Sequence, residues 1–326
     1  MEQAPQEILT EAHTTRECDK LSIELRLSDI DPPLPDPTRT IYRDIVNLPN
    51  PAKLGLTIRY FNHDDVGLYF QITGSGTGYT FGTVNLGLLG SGADAYVNLD
   101  EFASRARPSA SDLPNGEMEE NITLILKAYT DSGYTNLKWT FERVVTVHWI
   151  NSADPAFTVD VLNNFDDGTV QDWAYVVEAY PATPVTTFGV ATDYVLSAPY
   201  SLRLDGSWSA YTGEFRYRLY KSFTTPNKSK VFAIIDLRFW KSGTVGVSNF
   251  KELRIQRDDT ILVKIGNYVA AAGDIVPEGK WLRFVVPLPP NTTLEFRIIT
   301  RDYYQGASGA GQQLCRRLDD FKIISK

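Results

Sequence analysis

The sequence predicts an all-β protein of two β-sandwich domains, the second a jelly roll, behind an extended Pro-rich N-terminal arm. Three observations carry this. Runs rich in β-branched and aromatic residues recur at strand length along the chain. Clusters of Gly, Asn, Asp and Ser punctuate them at short intervals. No apolar period of about 3.6 residues persists beyond two turns.

Residues 1–40 read as the arm. Leu21-Ser-Ile-Glu-Leu-Arg-Leu27 alternates like a half-buried strand. Asp31-Pro-Pro-Leu-Pro-Asp-Pro37 follows, and its prolines favour a polyproline II run that cannot join a sheet interior. Residues 41–155 read as an immunoglobulin-like sandwich, with strands over Leu54–Phe61, Val66–Ile72, Asn121–Tyr129 and Val144–Ile150. Asn62–Asp65, Gly74–Gly78 and Asp131–Gly133 are their turns, Gly74–Gly78 being a hairpin loop. Leu99–Arg107 is the one stretch that suggests a short helix, with Asp100 as its cap. The Cys…Trp…Cys spacing of antibody domains is absent.

Asn151–Pro155 reads as a linker, and residues 156–326 as the second sandwich. In Phe215-Arg-Tyr-Arg-Leu-Tyr-Lys-Ser-Phe223 apolar residues alternate with Arg and Lys, so one face is buried and one is wet. Further strands are expected at Ser201–Leu204, Val231–Trp240, Glu252–Gln256, Ile261–Ile265, Trp281–Val286, Leu294–Ile299 and Phe321–Ile324. That density fits a jelly roll. Trp173, Trp240 and Trp281 are expected on strands, in the core.

Net charge and cysteine use narrow the partners. The chain of 326 residues carries a formal charge of −8, which argues against nucleic acid as a partner. Lys228–Lys230 reads as a solvated turn. No run approaches the ~18 apolar residues of a membrane span, so membrane insertion is not expected. Met1–Leu9 has no apolar leader core, which leaves two routes outward: a trimmed signal, or release when a host cell lyses. Cys18 and Cys315 either pair or remain two thiols. A bridge would close most of the chain into one loop, a stabilisation of roughly 5 kcal/mol in the chain-entropy picture.

Catalytic signatures are missing. The three histidines, His13, His63 and His148, have no metal-ligand spacing. There is no GxSxG elbow, Walker loop or dinucleotide fingerprint. No enzyme is expected. Aromatic residues, at 12% of the chain, are the stronger functional signal. Tyr and Trp offer an apolar face and a polar handle, which suits wet binding surfaces. Tyr194, Trp208, Tyr211, Tyr303 and Tyr304 fall in or beside loops and form a candidate ligand platform. Asn121, Asn227 and Asn291 are Asn-x-Ser/Thr acceptors that matter only in a glycosylating compartment.

Three phrases of the second half resemble jelly-roll carbohydrate-binding modules. Asn164-Phe-Asp-Asp-Gly-Thr-Val-Gln-Asp-Trp173 is similar to the first-strand phrase of those modules. Ser197-Ala-Pro-Tyr-Ser-Leu-Arg-Leu204 resembles their next long strand, with Ala198 or Pro199 where the family has Gly. Leu318-Asp-Asp-Phe-Lys-Ile323 resembles their closing strand. The resemblance implies neighbouring first and last strands, a glycan ligand, and a structural calcium between Asp166 and Asp319. The expectation is a non-catalytic structural protein of a virion or extracellular assembly with a glycan-binding-type domain: a turret, spike, fibre or capsid decoration. Its partners would be itself, other structural subunits and cell-surface glycan. The alternative is a free carbohydrate-binding or adhesion protein, with a polysaccharide-acting enzyme in reserve.

Overall fold

The computed structural model describes residues 13–15, 19–26, 40–46, 48, 50–178, 185–193, 195–196, 199–208, 213–242, 249–266, 279, 281–304 and 312–326. They fall into two compact units, one within Thr10–Asp154 and one from Pro155 to Lys326. Both are all-β, and no α-helix occurs among the described residues.

The first unit contains β1 (His13–Thr15), β2 (Asp19–Arg26), β3 (Thr40–Asp44), β4 (Ala52–Phe61), β5 (Leu68–Ser75), β6 (Tyr79–Phe81), β7 (Val84–Leu89), β8 (Asp94–Arg105), β9 (Glu117–Tyr129) and β10 (Leu137–Ile150). One sheet runs β2-β4-β8-β6 and the other β3-β10-β9-β5-β7. Alternation builds the core. Leu68, Phe70 and Ile72 of β5 point inward, with Tyr69, Gln71 and Thr73 between them less buried. Ile122, Leu124, Leu126 and Ala128 of β9 do the same, and Trp149 fills the centre.

Two expectations for this unit are corrected. Leu99–Arg107 is not a helix; as far as Arg105 it belongs to β8, paired antiparallel with β4. The register slips there, with Leu54 opposite Ala103 and Leu56 opposite Leu99. This irregularity breaks the two-residue period and buries the neighbours Phe102 and Ala103 together, which imitates a helical pattern. Gly74–Gly78 is not a hairpin loop either. β5 and β6 belong to different sheets, so the chain crosses between layers at Gly76–Gly78. The alternating run in the arm is a strand as expected: β2 pairs in parallel with β4.

The second unit contains β11 (Thr158–Asn163), β12 (Ala174–Val177), β13 (Val185–Ala191), β14 (Ser201–Trp208), β15 (Gly213–Thr224), β16 (Val231–Ser242), β17 (Asn249–Arg257), β18 (Thr260–Gly266), β19 (Trp281–Leu288), β20 (Thr293–Tyr304) and β21 (Gln312–Ser325). One sheet is β12-β15-β20-β17-β18. In the other, β19, β16, β21, β14 and β13 run side by side. β21 is the spine of that sheet. One of its edges pairs with β16 along nearly its whole length. The other edge pairs first with β14 and then with β11, so the first and last strands of the unit are neighbours.

The closing phrase works through a bulge. Leu314 and Leu318 point inward, and strict alternation would turn Asp320 inward next. Instead Asp320 adopts φ 50°, a left-handed conformation that Asp tolerates better than most residues. The register against β16 slips at this point, with Ile234 opposite Lys322 and Asp236 opposite Asp319. Phe321 and Ile323 therefore enter the core. Phe321 meets Trp173 edge-on at 5.1 Å and Phe296 at 5.5 Å. Trp173 is core as expected, but it sits in the turn before β12 rather than on a strand. Trp240 is buried, whereas Trp281 is only partly so.

Candidate functional site

The register of the second unit gathers loops at one end. Trp208 at the end of β14 lies opposite Gln312, where β21 begins. Gly213, the start of β15, lies opposite Tyr304, the end of β20. Asn249 lies opposite Tyr303, and Ser242 opposite Gln313. The connections 209–212, 243–248 and 305–311 therefore all leave from this end. Trp208, Tyr303 and Tyr304 occupy strand positions there, and Tyr211 belongs to the 209–212 connection, outside the described residues. Tyr194 also lies outside them, in the β13–β14 connection. That hairpin turns beside the Ala191–Ser201 pair, at the opposite end of β14 from Trp208.

The residues beneath this end are densely charged. Tyr303 is half-buried, and the Lys251 ammonium lies 5.9 Å from the centre of its ring. Lys251 is itself fully buried, where the β17–β20 register slips between Phe250 and Glu252. On the outer face of the sheet, Arg301 Nε donates to Glu214 at 2.6 Å, and Arg254 Nε donates to Glu252 at 2.5 Å. Arg216 and Arg218 reach Glu178 at 3.6 and 3.0 Å. The result is a half-buried lattice of guanidinium and carboxylate groups with little net charge.

On the inner face the end is closed by Arg316. Its side chain points into the core from β21 and stacks on Tyr217 at 4.3 Å. It donates to Asp302, to Thr300 Oγ1 at 2.8 Å and to the Leu314 carbonyl at 3.0 Å. Burial pushes the guanidinium down to about 10, against the opposing pull of Tyr217 and Asp205. Asp302 is fully buried, and its Oδ1 has no hydrogen-bond partner among the described residues. A cavity of about 20 Å³ lies in the adjoining core between Leu204, Tyr217, Phe239, Thr300 and Arg316, room for about one water.

Sequence reasoning pointed to the aromatic residues of this end and missed Lys251, Glu252, Asp302 and Arg316. A signal existed for Arg316. In Leu314-Cys-Arg-Arg-Leu318 a charge occupies a position that the two-residue period turns inward.

The metal and disulfide expectations fall elsewhere. Asp166 is exposed and accepts from Asn164 Nδ2 at 2.5 Å. Asp319 is fully buried on β21 and accepts the Leu196 amide at 2.8 Å. Among the described residues no group of three or more His, Cys, Asp or Glu side chains is gathered for a metal. A cation at Asp166 or Asp319 would need further oxygens, such as backbone carbonyls. Cys315 is buried on β21, and Cys18 lies outside the described residues. The opening phrase is a structural plug. Phe165 and Trp173 enter the core, while Lys221 Nζ donates to Asn163 Oδ1 at 3.0 Å and to the Gln171 carbonyl at 2.6 Å.

No protein-family model matches the chain. No curated protein matches it either. Among solved structures, it is similar to a carbohydrate-binding module of the β-sandwich superfamily, at 13% identity and a TM-score of 0.33, over 80% of this chain and 87% of that one. It is similar to the mannan-recognising module TmCBM27 at 14% identity and a TM-score of 0.29, over 52% of this chain and 98% of that one. A third is the enzymatically active domain of bacteriophage CBA120 tailspike protein 4, at 16% identity and a TM-score of 0.25, over 48% of this chain and 20% of that one. Solved carbohydrate-binding modules are therefore among the structures similar to the chain, whose own strands make it all-β.

Proposed function

We propose that the protein is a non-catalytic glycan-binding protein displayed on a virion or another extracellular assembly, and that the loop end of its second unit takes the sugar. One observation carries the reading. Antiparallel register brings Trp208, Tyr303 and Tyr304, with the connection that holds Tyr211, to a single end of the sandwich. Below that end lie the ion pairs Arg301–Glu214 and Arg254–Glu252, the Glu252 carboxylate fully buried. Aromatic rings suit the C–H face of a sugar, and fixed guanidinium and carboxylate groups suit its hydroxyls. Each of these carboxylates is already engaged by an arginine, an arrangement that favours holding a ligand over transferring a proton.

The test is a glycan array with the full chain, repeated with Trp208→Ala and Tyr303→Ala. Retention that both substitutions lower at unchanged melting temperature supports the reading, and an array with no retained glycan refutes it. The calcium that the resemblance implies is part of the proposal. It is tested by melting the chain with calcium and with a chelator.

The second reading, a free binding protein, is favoured by one feature. β2 of the arm already pairs with β4 of its own chain, which leaves less of the arm for a neighbour. Light scattering over a concentration series separates the two readings. A defined oligomer supports the assembly, and a monomer throughout supports the free protein.

A further inference from the structure

Exposed apolar residues mark one end of the first unit. Val66, Leu88, Leu137 and Trp139 are 46%, 61%, 54% and 40% exposed. Leu88 and Leu137 lie on the outer face of their sheet, whereas Trp139, opposite Ala128, lies on the core-turned face at the end of β10, beside the 62–66 turn. Leu88, Tyr69, Tyr129 and Leu137 face one another in a single lateral row across β7, β5, β9 and β10. The Leu88 side chain lies 3.2 Å from where a Cβ on Gly67 would stand, beside Val66. Asn62 ties the two loops by donating to the carbonyls of Val66 and Leu89 at 2.9 and 2.8 Å.

Trp139 is exposed yet fixed. Its indole N–H donates to Asp64 Oδ2 at 3.0 Å, and Lys138 Nζ meets the same oxygen at 2.6 Å. The Asp64 amide in turn donates to Asn62 Oδ1 at 3.1 Å. The one polar atom of the indole is thereby satisfied from within, and the ring is oriented before any ligand arrives. Nearby, Tyr134 packs edge-on against Tyr69 and Tyr129 at 6.2 and 5.5 Å. Its hairpin is locked by Asp131, which accepts from the amides of Gly133, Thr135 and Asn136 at 3.0, 3.2 and 2.6 Å.

We propose that this end of the first unit is a second glycan site, separate from the one on the second unit, which stacks a neutral sugar ring on Trp139. Charge and size select the occupant. Lys138 compensates Asp64, whereas Asp65 beside it is exposed, so this end disfavours an acidic sugar and an anionic lipid surface. One exposed indole beside the 62–66 turn is small against the ~20–30 residues per side of a stable protein interface, and it matches one sugar ring. Pre-orientation of the indole removes part of the ordering cost of binding.

The experiment uses the full chain against neutral polysaccharides (β-1,4-glucan, xylan, mannan and galactan) by affinity electrophoresis, with acrylamide quenching of tryptophan fluorescence alongside. A polysaccharide that retards the chain should shield a tryptophan that Trp139→Phe removes from the signal. Trp139→Ala should weaken retardation by about tenfold at unchanged melting temperature, with Trp139→Tyr intermediate. The shielding should persist in Trp208→Ala. Retardation untouched by Trp139→Ala overturns this inference and leaves the second-unit site standing. Retardation by none of the four overturns it as well, as does Trp139-dependent binding to phosphatidylcholine vesicles in place of polysaccharide.

Discussion

Replacing Asp302 with Ala removes the carboxylate that faces Arg316 in the core of the second unit. Asp302 is fully buried and Arg316 nearly so. Without Asp302 the guanidinium keeps the Thr300 hydroxyl, main-chain carbonyls, the Tyr217 and Phe250 rings and the pull of Asp205. Breaking one side of a buried ion pair costs about 3–5 kcal/mol. Some of this is offset, because Asp302 Oδ1 has no partner among the described residues and its burial is itself unfavourable by about 1–3 kcal/mol. The expected net loss is about 2 kcal/mol. Urea unfolding followed by fluorescence reads it as a lowered midpoint at constant slope. The paired replacement, Asp302→Leu with Arg316→Met, should recover stability to within about 1 kcal/mol of the parent. A loss below about 1 kcal/mol for Asp302→Ala would mean that water reaches Arg316. A double variant weaker than the single one would mean that the pair does more than balance charge. The pH dependence has a definite sign. With the Arg316 guanidinium lowered to about 10, the unfolded chain binds more protons above that pH, so this group's contribution to stability rises with pH there.

Gly206→Ala should destabilise the second unit by about 1–3 kcal/mol, because the new methyl would overlap the Tyr217 hydroxyl; adding Tyr217→Phe should restore part of the loss in the same unfolding assay. Asp320→Val places a β-branched residue at φ 50° and should cost about 1–3 kcal/mol, whereas Asp320→Gly should be nearly neutral by thermal melt. Asp131 has its carboxyl held below the ordinary carboxylate range, chiefly by the Asn136 amide. Its contribution is present above that range and fades as pH falls through the depressed value, so Asp131→Asn should flatten the acid limb of the melting curve. A melt of Asp131→Asn that falls with acid as steeply as the parent would contradict this.

Much of the architecture was legible because alternation is a direct record of which face is buried. Phe215–Phe223 alternates visibly and is β15 almost to the residue. The failures cluster where the period is interrupted. The slip between β4 and β8 brought Phe102 and Ala103 into the core together and suggested a helix. The bulge at Asp320, which lets two consecutive aspartates stand in the closing phrase, is not announced by any local pattern. β12 and β13 escaped notice because they are short or rich in Thr and Gly. For the sites, loop aromatics were recognisable by type. Pairing register, which no local pattern encodes, decides that Trp208 and Tyr303 share one end of the sandwich while the hairpin holding Tyr194 turns at the other end of β14.

The position of β21 governs when the second unit can form. This strand lies between β16 on one side and β14 and β11 on the other, yet it is the last strand in chain order. During synthesis β11, β14 and β16 emerge long before the segment that joins them. Until residues 312–325 have left the ribosome, that sheet lacks its middle and its apolar faces have no template on which to close. Folding of the unit must therefore wait for its final strand, through contacts of long sequence separation that form slowly. A ribosome stalled before residue 312 would hold a second unit whose β21 sheet is unassembled and open to proteases and chaperones.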